Sequence, residues 1–346
     1  MTIKKLIFIT SSSNSKTGVG KYVKILKNSL RKDYSIEVRR PFFLASYPIL
    51  IKKHKKRDII VHITNQQLSF PLYFTKHKNV VVTVHDLIPL QYPLIKKAKH
   101  IRFKYIDEWF FRKTIQAMKM SKKIICVSEA TKKKLLSFIK YPEEDVHVVY
   151  EYPSEEFIYK KKKRNPYDIL YVGSELPYKN LNTLLKSIKI VKKKIRSIRL
   201  IKIGKPQWPG AQHELQEQAK RLGISENIIW KDEVEDLVAE YNSATLFVHP
   251  SLHEGFGFPV VEAMACGCPV LSSNRGSLPE LGGKAVEFFN PTDEYELAEK
   301  IISIIQNKKK QQTMRKKGLK QVKLFNKERF KRETMQVYDL LSKRDI

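Results

Sequence analysis

The chain has 346 residues, 42% of them hydrophobic and 10% aromatic. That is enough apolar material for two packed domains, and it excludes a disordered, collagen-like or disulfide-framework protein. Its 66 Lys and Arg against 35 Asp and Glu leave a formal net charge of +31, which asks for an anionic partner: a nucleic acid, an acidic membrane surface or a phosphorylated substrate.

At the amino terminus the apolar run 6–9 is too short for a signal-peptide core. Residues 3–10, 59–63, 80–84 and 124–128 are brief, β-branched and nearly continuously apolar, the pattern of buried parallel strands. Segments 20–31 and 100–119 between them carry helical spacing. The apolar stretch 42–51 includes Ser46, Tyr47 and Pro48 and is about half the length a membrane-spanning helix needs. Around 151–166 the pattern breaks into Glu, Pro and the basic run 160–164, which reads as a linker. Strands are then expected at 168–173, 198–204, 227–231, 245–250, 269–273 and 285–289, with helices at 180–194, 211–222, 235–243 and 259–266. The expected fold class is therefore α/β, two doubly wound Rossmann-like domains facing across a cleft. The expected boundaries are 1–162, 163–325 and a closing segment 326–346. Cys126, Cys266 and Cys268 are too few for a disulfide framework and lack zinc-site spacing, so a reducing, cytoplasmic setting is expected.

The charge is unevenly divided. Up to Pro166 there are 36 basic and 13 acidic residues, an excess of 23, whereas the remainder has an excess of 8. The anionic partner is thus expected on the first half. Residues 42–57 join an apolar stretch to a lysine cluster, and 94–104 adds Lys96, Lys97, Lys99, Arg102 and Lys104. Such a combination suits the interface of an anionic bilayer, or equally a buried helix with a solvated basic flank.

The most informative segment is 245–291. A strand ends near His249, a loop carries Gly255 and Gly257, and a helix starts at about Pro259, a residue suited to the first helical turn. Backbone amides and the dipole at such a helix start favour an anion. Glu254 and Glu262 flank that cradle and could accept hydrogen bonds from sugar hydroxyls on either side of a diphosphate. The plainer alternative is a glycine turn with Glu254 solvated and Glu262 capping the helix. Further on, 277–280 reads as a capping box, with Ser277 at N-cap and Glu280 at N3.

In the first half, Gly18 and Gly20 follow a strand and open a helix. Val23 and Ser15 stand where a dinucleotide fingerprint and a Walker loop would need glycine, and Tyr22 where the latter needs Ser or Thr. What remains is a turn that lets backbone approach a ligand, or simply a tight strand-to-helix connection. His85 and Asp86 end the strand 80–84, the edge at which open α/β sheets bind ligands; a core histidine with its partners satisfied is the alternative.

The run EGFGFPVVEAMACGCPV resembles the E-x7-E signature of retaining nucleotide-sugar glycosyltransferases of family 4 (glycosyl transferases group 1), which have the GT-B fold. Four further segments are similar in the expected order: KTGVGKYV (16–23), VTVHDLIPLQYP (82–93), CVSEATKKKLL (126–136) and YVGSELPYKNL (171–181). The resemblance implies that Glu262 holds the ribose hydroxyls of the donor nucleotide, and that Glu254 contacts the transferred sugar. It implies that Gly255, Phe256, Gly257 and Phe258 line the sugar and phosphate pocket, together with Gly173, Ser174, Gly18 and Gly20. Lys179 would meet the leaving diphosphate, a fixed charge that replaces a metal, and His85 would position the sugar. Ser174 and Tyr178 stand where many relatives carry Arg, and Lys205 is the candidate to complete the clamp.

The expected protein is a retaining glycosyltransferase that needs neither cofactor nor metal. It would move a sugar from a GDP-mannose-like or UDP-sugar donor to a glycan or lipid-linked acceptor in cell-surface polysaccharide synthesis, cytoplasmic and peripheral on an anionic membrane. The segment 326–342 is expected as a helix returning to the first domain. The rivals are a basic nucleic-acid-binding protein, disfavoured by the lack of a zinc finger, a basic zipper or an RNA-recognition motif, and a GT-B epimerase or phosphorylase.

Overall fold

A computed structural model describes residues 5–11, 18–40, 59–74, 79–88, 101–162, 164–206 and 210–342, the side chains of 101–108 and 342 aside. The basic segment 42–57 and most of 94–104 lie outside the described residues. The chain divides into two compact units, Met1–Tyr152 with Asn326–Ile346, and Pro153–Phe325.

The first unit is built on a parallel six-stranded sheet, β1 (Lys5–Ile9), β2 (Ser35–Arg39), β3 (Ile59–Ile63), β4 (Val80–Val84), β5 (Lys123–Cys126) and β6 (Val146–Val148), in the order β2-β1-β3-β4-β5-β6. The second holds β7 (Asp168–Val172), β8 (Arg199–Ile203), β9 (Ile228–Lys231), β10 (Leu246–His249), β11 (Val270–Ser273) and β12 (Glu287–Phe289), in the order β12-β11-β10-β7-β8-β9. All pairs are parallel. Central strands such as IIVHI and VVVTV are buried at every position, because helices cover both faces of such sheets. The unexpected strands β2 and β6 are edge strands. SIEVR is only partly buried, so its sequence never forms an apolar run.

Strand order fixes where ligands can approach. In the second sheet the chain runs β7 to β8 to β9 on one side, then returns to place β10 on the other side of β7. The carboxyl ends of β7 and β10 therefore flank a topological switch point, where open sheets bind their ligands.

The helices are α1 (Gly18–Leu30), α2 (Ile101–Ala117), α3 (Glu129–Phe138), α4 (Leu181–Lys194), α5 (Ala211–Arg221), α6 (Leu237–Ser243), α7 (Phe258–Ala265), α8 (Leu278–Gly282), α9 (Glu294–Ile305), α10 (Lys308–Gln321) and α11 (Lys327–Ser342). Among the described residues none is long and apolar enough to cross a membrane. Helix α10 went unforeseen because only Met314 and Gly318 are buried in an otherwise polar run.

Helix α11 packs within the first unit against α1. The Phe330 ring meets Tyr22 edge-on at 6.0 Å, and Lys331 pairs with Asp33 at 2.7 Å. Within the stretch 151–166 expected as a linker, residues 153–162 and 164 belong to the second unit: Lys160 N donates to Asn242 Oδ1 at 2.6 Å, and Arg164 donates to the Gly267 carbonyl at 2.9 Å. The three cysteines are free and buried.

Candidate active site

The site of the second unit begins where β7 and β8 end. The Gly173 amide donates to the Ile203 carbonyl at 2.9 Å. At Gly204, φ is +142°, and a Cβ would lie 2.3 Å from the Gly173 carbonyl oxygen; only glycine fits this crossing. Beneath it the buried Tyr171 hydroxyl donates to the Ser174 carbonyl at 2.8 Å. Lys202, fully buried on β8, donates to Glu175 and to the Gly204 carbonyl. A buried lysine survives only with such a partner.

The chain then makes a short turn, Pro177–Lys179, and passes through Asn180 in the left-handed region at φ 59°. The Asn180 amide donates to the carbonyls of Pro250 (3.1 Å) and Pro291 (2.7 Å), and Leu252 N donates to the Tyr178 carbonyl at 2.7 Å. These bonds stitch the loop after β7 to the loop after β10 and bring Lys179 to Glu254.

Three donors converge on one oxygen of Glu254. Lys179 Nζ lies 2.6 Å from Oε1, His249 Nε2 2.7 Å and Ser251 Oγ 2.7 Å. The Glu254 side chain is only 10% exposed. Burial alone would raise its pKa; the Lys179 charge and then the His249 hydrogen bond outweigh it and hold the carboxyl well below the carboxylate range. Oε2 has no hydrogen-bond partner among the described residues. The solvated Glu254 of the plainer reading is thus not what this loop contains.

The rest of the loop is held from behind. At Gly276, φ is +58° and a Cβ would lie 2.9 Å from the Glu254 carbonyl oxygen. Ser277 Oγ donates to the Phe256 carbonyl at 2.5 Å, and Ser273 Oγ to the Ser251 carbonyl at 2.5 Å. This corrects the expected capping box: Ser277 makes no side-chain cap bond at α8, its hydroxyl being committed to the loop. Gly257 is the N-cap of α7, with Pro259 in the first turn and no side chain capping the helix. Phe256 is buried against Phe258 and Phe325. Glu262, one turn in, is 2% exposed and accepts from the Tyr241 hydroxyl at 3.2 Å. Burial, then the Glu262 charge, pushes that phenol far above its ordinary range. Glu262 therefore faces a buried partner instead of capping the helix. Lys205, by contrast, is exposed and pairs with Glu233 at 3.0 Å.

The remaining expected residues lie in the first unit. Gly18 and Gly20 open α1, and a Cβ at Gly18 would meet nothing within 4 Å, so packing does not demand glycine there. His85 Nε2 donates to the Thr64 carbonyl at 2.8 Å, while Nδ1 lies 3.5 Å from the buried Glu151 carboxylate. Burial lowers the His85 pKa, but Glu151 more than offsets this and the net shift is upward. Both ring nitrogens are thus engaged.

Some groups the sequence reading did not single out. Among these are His249, Glu151, the Glu175–Lys202 pair, and His62. The last is fully buried, with Nδ1 2.6 Å from the Tyr338 hydroxyl on α11 and Nε2 2.7 Å from Thr83 Oγ1. Burial, then the nearby His85 charge, lowers its pKa to about 3. The available signal was a polar residue inside an apolar strand: His in IIVHI, Lys in RLIKI, His in LFVH.

Chemically, the second unit offers a carboxylate with one oxygen locked and one open, a lysine against it, and an uncapped helix start, a set suited to a hydroxyl-bearing anion. Two family models cover nearly the whole chain: glycosyltransferase family 4 over residues 6–151 and glycosyl transferases group 1 over 154–321. The chain belongs to glycosyltransferase family 4.

Among relatives of this family-4 chain, the O-antigen chain mannosyltransferase B of Escherichia coli is 27% identical over 326 residues, 88% of this chain and 81% of the relative. The O-antigen chain mannosyltransferase RfbU of Salmonella typhimurium is 29% identical over 63% of this chain and 58% of its own length. Similar folds are HepE of Anabaena in complex with UDP (TM-score 0.77, 16% identity, 97% of this chain and 100% of that one) and WaaG, a glycosyltransferase involved in lipopolysaccharide biosynthesis (TM-score 0.75, 13% identity, 97% and 99%). The architecture of the family-4 chain is accordingly GT-B: α/β, with two doubly wound Rossmann-like units.

Proposed function

We propose that this chain is a retaining hexosyltransferase that uses a nucleotide-diphosphate sugar, GDP-mannose-like or a UDP-sugar, and builds a cell-surface polysaccharide or glycoconjugate on a glycan or lipid-linked acceptor. The observation that carries the reading is Lys179 on Glu254 Oε1 at the switch point of the second sheet. The names of the O-antigen relatives favour mannose; HepE, crystallised with UDP and with UDP-glucose, keeps a uridine donor in view.

In this reading Glu262 takes the ribose hydroxyls and Glu254 Oε2 a hydroxyl of the transferred sugar. Gly173, Ser174 and the stretch Gly255, Phe256, Gly257 and Phe258 line the donor pocket. Lys179 meets the charge that develops on the diphosphate, so no metal is required for that task. The anomeric carbon–phosphate bond breaks, the acceptor oxygen bonds to the same face, and the leaving phosphate oxygen takes the acceptor's proton. His85, held by Thr64 and Glu151, positions rather than transfers a proton. Gly18 and Gly20 are assigned to backbone approach to a ligand at the start of α1. Lys205 is a peripheral contributor to the diphosphate's surroundings. The excess of 23 positive charges before residue 167 favours an acceptor met at the surface of an anionic membrane.

The test is a panel of GDP- and UDP-sugars with detection of released nucleoside diphosphate, repeated with EDTA and with Glu262→Ala. Turnover of one donor, insensitive to EDTA, lost in Glu262→Ala and giving an axial-to-axial product by NMR supports the reading. No binding of any nucleotide sugar, or an unaffected Glu262→Ala variant, overturns it.

A further inference from the structure

His249 closes β10, fully buried, its ring stacked on Phe247 with centroids 5.8 Å apart. A carboxylate oxygen offers about two lone pairs, yet Glu254 Oε1 receives three donors at 2.6–2.7 Å. One of the three is therefore dispensable, and the geometry says which. Ser251 is tethered three residues away and His249 is fixed by its strand. Lys179 has a long flexible stem and comes from a loop 75 residues distant. It also carries a compact ammonium charge suited to a phosphate. Glu254 only accepts, so His249 Nε2 donates to it; Nδ1 has no partner among the described residues.

We propose that His249 is a positioning residue that holds Glu254 in place while Lys179 is handed over to the donor's diphosphate. The inference rests on reading this loop as a nucleotide-sugar site. Without His249, Glu254 has only Ser251 and Lys179, and the lysine stays where it is needed more. The groups facing Glu254 are Lys179 from the loop before α4, His249 from β10, Ser251 from its own loop, and the Tyr171 phenol of β7, whose acidity Glu254 suppresses after burial.

The experiment compares His249→Phe, which keeps a ring beside Phe247 and removes the donor, with His249→Gln, which restores an amide donor. UDP and GDP are titrated by calorimetry against uridine and guanosine, and donor turnover is followed from about pH 5 to about pH 9. The expected result is at least about tenfold weaker nucleoside diphosphate binding in His249→Phe with nucleoside binding unchanged. His249→Gln returns to within about threefold of wild type. A crystal structure of the wild type with the diphosphate is the second arm, independent of whether a variant folds: Lys179 on phosphate with His249 still on Glu254 supports the hand-over.

Lys179 remaining on Glu254, a His249→Phe variant that binds UDP and GDP as the wild type does, or failure of His249→Gln to recover would each overturn it. If Glu254→Ala also binds and turns over normally, the nucleotide-sugar reading itself has failed. If Glu254→Ala is inactive and His249→Phe is unaffected, only the hand-over falls.

Discussion

Lys179→Met separates what the lysine does for the fold from what it does for the reaction. Its contact with Glu254 is 2.6 Å long, and the two side chains are 15% and 10% exposed, so solvent screens the pair little. Removing one partner of a buried pair usually costs about 3–5 kcal/mol, because a bare charge is left behind. Here the charge is not bare: His249 and Ser251 remain on the same oxygen, and hydrogen bonds to a charged group contribute about 1.5–3 kcal/mol each. The stability loss should therefore shrink to roughly 1–2 kcal/mol, a few degrees in Tm for a unit of this size. Losing a fixed donor at the developing charge costs about 10²–10³ in kcat, and nothing in the loop replaces it. Activity should thus fall far more than stability. Steady-state release of nucleoside diphosphate well below Tm, beside thermal unfolding, measures both. A kcat within about threefold of wild type, or a Tm collapse that accounts for the lost turnover, would refute the reasoning.

Three further outcomes follow from the same geometry. Tyr338→Phe leaves the buried His62 Nδ1 without its 2.6 Å partner and should destabilise the unit carrying α11 by about 1–3 kcal/mol in urea unfolding, with helix content retained. Gly204→Ala pushes a methyl to 2.3 Å from the Gly173 oxygen at a φ of +142°, so it should yield little soluble protein, whereas Gly18→Ala, with open space around it, should fold normally. His62 and His85 should give opposed pH slopes. His62, its pKa lowered to about 3, makes stability fall as pH drops below about 6.5, by up to about 1.4 kcal/mol per pH unit, until pH nears 3. His85, its pKa raised, contributes stability that is complete below its unfolded value and lost as pH rises through the folded one. Urea unfolding across pH should show the acid slope flattened in His62→Gln and the slope above about pH 6.5 flattened in Glu151→Gln.

What could be read from the chain was what local pattern encodes. Central strands are apolar at every position because they are covered on both faces, so β3, β4, β7 and β10 were legible, while β2 and β6, half-solvated at a sheet edge, were not. The spacing of Glu254 and Glu262 about a glycine loop and a helix start was legible for the same reason: seven intervening residues carry the geometry. Partnerships across the chain were not. Nothing near Glu254 announces that its cation arrives from position 179, nor that a hydroxyl 276 residues from His62 will cap its ring. The Ser277 capping box failed because a local motif competes with every other acceptor in reach, and the Phe256 carbonyl won.

The net charge of +31 says little about the site, because the two lysines buried there are each held by a carboxylate, Lys179 by Glu254 and Lys202 by Glu175. In the proposed reading an arriving diphosphate finds both of these lysines already paired and draws one of them out of its pair. Lys202 cannot answer: it has no exposed surface and is bound to the Gly204 carbonyl as well as to Glu175. Lys179 can, since its carboxylate keeps two other donors. The same partition explains why swapping exposed lysines elsewhere on this unit should leave donor affinity nearly untouched at physiological salt, where charges more than about 8 Å away are screened, while a single uncharged substitution at His249 should reach it.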